Sequence, residues 1–198
     1  MLIISNNCIS GFLQRDYFKQ AYNNPFIWTT IEPNDFINLV LNFDSINFKK
    51  FELFKDKDWN FFLNIDNCFD VRFTHYKFNA NTSKLTIGGP NKNDIFYNKI
   101  WEYIVEKYTS RLNRMLTVKE EPTFLWCGAN DRIRHSFDVD PNKNQLNKMI
   151  ANAKYKTAIS FKDMPVTNAN KNVQLIPQTT SFKHINIEFG KFLISHLK

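Results

Sequence analysis

The chain is poor in the residues that staple, loosen or anchor a protein. Among 198 residues it has 3 cysteines, Cys8, Cys68 and Cys127. An odd number without a C-x-x-C pair argues against a disulfide framework and against a cysteine-rich zinc site. Only 5 glycines are present. They form neither a G-x-G-x-x-G fingerprint nor a Walker loop, and Gly88-Gly89-Pro90 reads as a turn. No apolar run approaches the roughly 18 residues that a membrane span needs. The opening MLIISNN lacks a basic leader region, so no signal peptide is expected. These absences predict a soluble protein of the reducing cytoplasm. The net charge of +7 comes from scattered lysines, without a contiguous basic stripe. No helix-turn-helix, zinc finger or RNA-binding motif accompanies it, so nucleic acid is not an expected partner. A diffuse positive field does favour anionic small molecules. The histidines, His75, His135, His184 and His196, lie too far apart for metal-ligand spacing, and no metal is expected.

What is present in quantity is apolar and aromatic. The apolar share is 43%, with 20 phenylalanines, enough for one large core. The expected organisation is a single α/β domain over 1–198, dividing, if at all, into lobes 1–90 and 91–198. Residues 2–4 read as a buried strand, covered on both faces and therefore central. Helical spacing follows over 8–20, a strand over 26–31, and a helix opened by Pro33 through about residue 42. Aromatics alternate with charges over 44–67 and suggest hairpin strands. Residues 69–78 and 84–87 read as strands. The clearest helix spans 95–116, where Ile95, Tyr97, Ile100, Trp101, Ile104, Val105, Tyr108, Leu112, Met115 and Leu116 repeat at helical spacing. Strand 123–127, helix 141–153, strands 157–161 and 173–176 and helix 184–196 complete the chain. This alternation predicts a three-layer α/β sandwich: a mostly parallel central sheet with helices on both faces.

One residue stands where chemistry is expected. Cys8 falls between the first strand and the first helix, where amides and the helix dipole favour a thiolate. A nearby neutral histidine would make it a nucleophile, and the first-turn amides would form an oxyanion hole. The competing reading is a cysteine packed as a small hydrophobe. After the strand at 123–127 comes Cys127-Gly128-Ala129-Asn130-Asp131. There Asp131, Arg132 and Arg134 would hold a phosphate or sugar at a strand's carboxyl end, or else form a solvated polar turn.

The stretch Ile4-Ser5-Asn6-Asn7-Cys8-Ile9-Ser10-Gly11 resembles the opening of a bacterial family of unknown function whose members are often labelled exopolysaccharide or capsule biosynthesis proteins. Tyr22-Asn23-Asn24-Pro25-Phe26, Phe73-Thr74-His75-Tyr76 and the late strand over 156–165 are similar to further parts of its pattern. The Cys127–Asp131 turn and Arg132–His135 depart from it. The resemblance implies an α/β fold and a place in surface-glycan assembly. It also makes His75 the preferred base for Cys8, against His75 as a satisfied core histidine; His135 and His184 compete for that role, and Asp70, Asn6 and Asn7 are the candidates to orient the imidazole. The leading expectation is Cys–His acyl transfer or hydrolysis on a glycan or small-molecule substrate. A second is a transferase without covalent cysteine, in which Asn6, Asn7, Arg132 and Arg134 bind a nucleotide sugar, phosphorylated donor or coenzyme A thioester. A third is a non-enzymatic partner in a capsule assembly complex, docking through exposed aromatics among Phe48, Phe51, Phe54 and Trp59. No resident cofactor is expected.

Overall fold

In a computed structural model of the chain, the described residues are 1–22, 24–58, 60–73, 76–79, 84–87, 94–118, 120–127, 142–161, 170–177 and 187–197. They run β1 (Leu2–Ser5), α1 (Ile9–Phe12, continued as a π-helical turn over Leu13–Tyr17), β2 (Thr30–Ile31), α2 (Pro33–Asn42), β3 (Phe51–Lys55), β4 (Phe61–Ile65) and β5 (Phe69–Arg72). Then come β6 (Tyr76–Asn79), β7 (Lys84–Ile87), β8 (Asp94–Phe96), α3 (Tyr97–Thr117), β9 (Pro122–Cys127), α4 (Lys143–Asn152), β10 (Thr157–Phe161), β11 (Val173–Pro177) and α5 (Ile187–Ser195).

Four strands form a parallel sheet in the order β1-β9-β10-β11. Side chains alternate across it. Ile3, Leu125, Ala158 and Ile176 face one way and pack with Ile9 and Leu13 of the first helix and Phe189 and Leu193 of α5. Leu2, Ile4, Phe124, Trp126 and Ile159 face the other way, into a larger core shared with Phe36 and Val40 of α2 and Met149 and Ile150 of α4. The sheet thus has helices on both faces, as expected.

The expected parallel sheet is present, but it takes in only four of the eleven described strands. The other seven described strands are antiparallel, in sheets ordered β2-β5-β4-β3 and β6-β7-β8. Their connections explain this. A turn such as Asp66–Cys68 between β4 and β5 closes a hairpin, whereas a parallel pair needs a crossover of a dozen or more residues. The inner face of the first antiparallel sheet, Phe61, Leu63, Ile65, Phe69 and Val71, joins the larger core, together with Ile100, Ile104 and Tyr108 of α3.

Three further expectations change in detail. The strand read over 69–78 is two strands, because β5 pairs with β2 and β4 while β6 pairs with β7. The strand read over 26–31 shrinks to β2; residues 25–28 form a turn with Trp28 at φ 63°. β1 is the terminal strand of its sheet, not a central one. It is buried throughout because its open edge is sealed. The Asn24 side-chain amide donates to the Ile3 carbonyl (2.8 Å), and the Ile31 N–H donates to the Asn6 carbonyl (3.0 Å). Among the described residues, no helix is long and apolar enough to cross a membrane.

Candidate functional site

The carboxyl end of β1 carries an unusual run of buried polar groups. Ser5 and Ser10 are fully buried, and Asn6 and Asn7 are 8% and 3% exposed. Gln14, Asn24, Thr29 and Thr30 are buried as well. Buried polar side chains persist only when hydrogen-bonded or when held for a purpose. Several of these have clear structural work. The Ser5 hydroxyl donates to the Asn7 carbonyl (2.5 Å) and accepts from the Ser10 N–H (3.0 Å). The Asn7 side-chain oxygen accepts from the Ile9 N–H (3.1 Å). The Gly11 and Phe12 amides both donate to the Cys8 carbonyl (3.1 and 3.2 Å). The four amides of the first turn are therefore already engaged. The oxyanion hole expected from the first-turn amides is not open: Asn7 and Ser5 occupy those of Ile9 and Ser10. Asn6 acts through its backbone, donating to the Leu125 carbonyl (3.3 Å) and accepting from Ile31 (3.0 Å). It is the joint at which the parallel sheet meets β2.

Cys8 caps α1 in a helical conformation, with no side-chain capping bond. It is 6% exposed. It is buried with the core, between Ile4 of the larger apolar cluster and Ile9 of the smaller one in sequence. Its immediate sequence neighbours on the N-terminal side, Ser5 to Asn7, are the buried polar run. Cys68 differs: it is an exposed free thiol on the turn after β4.

Two hydroxyls at this end of the molecule are buried and have no hydrogen-bond partner among the described residues: Ser10 Oγ and Ser160 Oγ. Ser160 lies near the carboxyl end of β10, in register with Cys127 of β9. Alternation puts it on the sheet face that Ser5 occupies, the face covered by α1 and α5. A buried hydroxyl left unsatisfied costs about 1–3 kcal/mol. The two therefore mark positions where a polar ligand group or an ordered water would be favoured. In open α/β sheets the carboxyl ends of strands form the ligand crevice. The sequence reading missed both serines. The only available signal for Ser160 was one hydroxyl inside the otherwise apolar and threonine run Thr157–Phe161.

Of the site residues expected from sequence, Asn6, Asn7 and Cys8 come together at the β1–α1 junction. His75, Asp131, Arg132 and Arg134 lie outside the described residues, as do His135 and His184. Asp70 is on β5, where its carboxylate accepts from the Asn64 side-chain amide (2.8 Å) and its N–H donates to Asp35 (3.1 Å). His196 is exposed beside the Phe192 carbonyl (2.8 Å). Asp35 was not anticipated. Burial pushes its carboxyl up to about 6, and Asp70 and Glu32 add to the rise against the bond from the Asp70 N–H. Of the aromatics expected to form a docking patch, Phe48 is buried and Phe51 is half-buried against Tyr108. Phe54 is exposed and stacks on Phe62, and Trp59 lies outside the described residues. Among the described residues no group of three His, Cys, Asp or Glu side chains is placed to hold a metal.

Residues 1–85 match the family model for a domain of unknown function, DUF1919. The DUF1919 match contains the whole Ser5–Ser10 cluster and ends within β7. It leaves β9, β10 and β11 outside, so Ser160 and three of the four parallel strands come from the unmatched part. No curated protein matches the chain.

Proposed function

We propose that the protein is an enzyme of surface-polysaccharide assembly, catalysing acyl transfer or hydrolysis at the carboxyl edge of its parallel sheet. Cys8 is the nucleophile and His75 the base. The thiolate attacks the carbonyl carbon of an ester or thioester; a carbon–sulfur bond forms and the alcohol or thiol leaves. Water or an acceptor hydroxyl then releases the acyl group. The observation that carries this reading is the setting of Cys8: a buried thiol, 6% exposed, at the N-cap of α1 directly after the buried polar run Ser5–Asn7. The glycan context rests on the resemblance of the Ser-Asn-Asn-Cys opening, which lies inside the matched span.

The test is to incubate the protein with p-nitrophenyl acetate and map adducts by mass spectrometry. Exposed Cys68 serves as the internal reference thiol. The expected result is an acetyl group on Cys8, with alkylation by iodoacetamide faster than at Cys68 below about pH 8, where an ordinary thiol near 8.5 is mostly protonated. An unmodified Cys8, or one slower than Cys68 throughout, would overturn covalent catalysis. A second reading draws on the two orphan hydroxyls: Ser10 and Ser160 suit a non-covalently held nucleotide sugar, phosphorylated donor or coenzyme A thioester. A Cys8→Ala variant that keeps turnover, together with thermal stabilisation by such donors, would select it.

A further inference from the structure

The turn that carries Cys8 holds a hydrogen-bond donor that the fold leaves unspent. Asn7 directly precedes Cys8 and is 3% exposed. Its Oδ1 accepts from the Ile9 N–H (3.1 Å), which closes a turn with Cys8 at its centre. That bond also orients the carboxamide, because with oxygen and nitrogen exchanged a donor would face a donor. Nδ2 is therefore turned away from the Ile9 N–H, and among the described residues nothing accepts from it. We infer that Asn7 Nδ2 is the oxyanion donor for the reaction of Cys8, an assignment that rests on Cys8 being the nucleophile.

The backbone cannot supply this donor. Ser5 Oγ holds the Ser10 N–H (3.0 Å), Asn7 Oδ1 holds that of Ile9, and the Gly11 and Phe12 amides serve the Cys8 carbonyl. Acyl transfer still needs a fixed donor where negative charge develops, and an asparagine carboxamide can provide one. Burial points the same way. A buried amide donor without an acceptor is costly to keep, so one that persists calls for a ligand atom. Ser10, three residues on, is fully buried and its Oγ also lacks a partner. Two unspent hydrogen-bonding groups thus flank the thiol in sequence, on the segment Asn7–Ser10.

When the Cys8 thiolate attacks an acyl carbonyl, the carbon–sulfur bond forms and the π electrons move onto oxygen. Nδ2–H donates to that oxygen, and the bond strengthens as the charge grows, so it favours the transition state over the bound substrate. The electron pair then returns, the carbonyl reforms, and the bond to the alcohol or thiol breaks. The proton that left the Cys8 thiol goes with the leaving group. Asn7 itself exchanges no proton. Its Oδ1 stays on the Ile9 N–H, which holds the donor in place before the reaction begins.

Two reagents separate this role from a structural one. p-Nitrophenyl acetate acylates a thiolate through an oxyanion, whereas iodoacetamide alkylates it by displacement at carbon, with no oxyanion formed. Asn7→Ser and Asn7→Asp each keep an oxygen for the Ile9 N–H and remove the amide donor. Rates are compared where the thiol is fully ionised, with Cys68 as the reference in both reactions. Each variant should slow acetylation of Cys8 by about tenfold or more and leave its alkylation within about twofold. The alkylation rate at Cys8 also reports that the variant site is intact. An equal loss in both reactions would make Asn7 a support of the turn or a partner of the thiolate, and unchanged acetylation would make it a bystander; either result overturns the assignment. If Cys8 of the parent protein is not acetylated at all, the nucleophile reading itself fails, and the role of Asn7 with it.

Discussion

At the scale of single residues, Asp35 shows how tertiary placement sets chemistry. It sits in the first turn of α2, where a carboxylate normally gains from the helix dipole. β5 comes across it, and burial raises its carboxyl to about 6. The folded form therefore holds a proton between about pH 4 and 6 that the unfolded chain has released. Stability conferred by the protonated state is lost as pH rises through that window. Asp35→Asn keeps an acceptor for the Asp70 N–H and removes the charge. It should stabilise the protein by about 1 kcal/mol near pH 8 and by almost nothing near pH 4. The figure is reduced from the full shift because the side chain keeps part of its solvent. Urea midpoints at the two pH values measure this; an equal change at both would refute the assignment. Asp35 could not be found from sequence, because its burial is made by a strand 35 residues away. The position of Cys8 could be found, because strand, turn and helix are adjacent there. The buried Asn24 amide on the edge of β1 could not, since it reaches the Ile3 carbonyl from 21 residues along the chain.

At the scale of elements, close approach decides what a position tolerates. α5 crosses the first helix at Gly190, where an added Cβ would lie 2.9 Å from Leu13 Cγ and 3.1 Å from Ile9 Cγ2. Alanine is favoured over glycine inside a helix by about 1 kcal/mol. Overpacking a core costs about 1–3 kcal/mol. The contact should win, so Gly190→Ala should lower the melting temperature. An unchanged or raised value would show that the two helices can separate at little cost. Gly11 is tighter still, with a Cβ placed 2.7 Å from Trp28 Cε2. That indole is held at a left-handed backbone position and meets Phe12 edge-on at 4.9 Å. Periodicity made α2, α3, α4 and α5 legible to within a few residues, because an apolar stripe is a local signal. The pairing of strands was less legible. Full burial of β1 looked central, yet it reflects an edge sealed by Asn24. The run over 69–78 looked continuous, yet its halves pair with different partners. Hydrogen-bond partners are set by distant segments, and no local pattern encodes them.

At the scale of the whole molecule, the larger core joins both four-stranded sheets. Ile4 of the parallel sheet and Leu63 of the antiparallel sheet are fully buried in the same apolar cluster. α2 sits between them in that cluster, with the Phe36 ring edge-on to Phe124 and Trp126. Tyr108 of α3 adds a tie, donating to the Phe48 carbonyl (2.9 Å). The alternation of helix and strand made the α/β class legible; which residues on either side of position 90 share the larger core was not. A shared core couples the halves: losing either sheet exposes apolar surface of the other. Unfolding should therefore be a single cooperative transition, although the DUF1919 match ends at residue 85. Ile4→Ala and Leu63→Ala each remove a fully buried aliphatic side chain, at a cost of about 2–5 kcal/mol. Both should shift the same urea transition to lower concentration without splitting it. Tryptophan fluorescence and far-ultraviolet circular dichroism should give coincident curves for the parent and for both variants. Two separable transitions, with Ile4→Ala moving one and Leu63→Ala moving the other, would mean that the sheets fold as independent units. Coincident curves with one shifted midpoint are the outcome that the shared cluster requires.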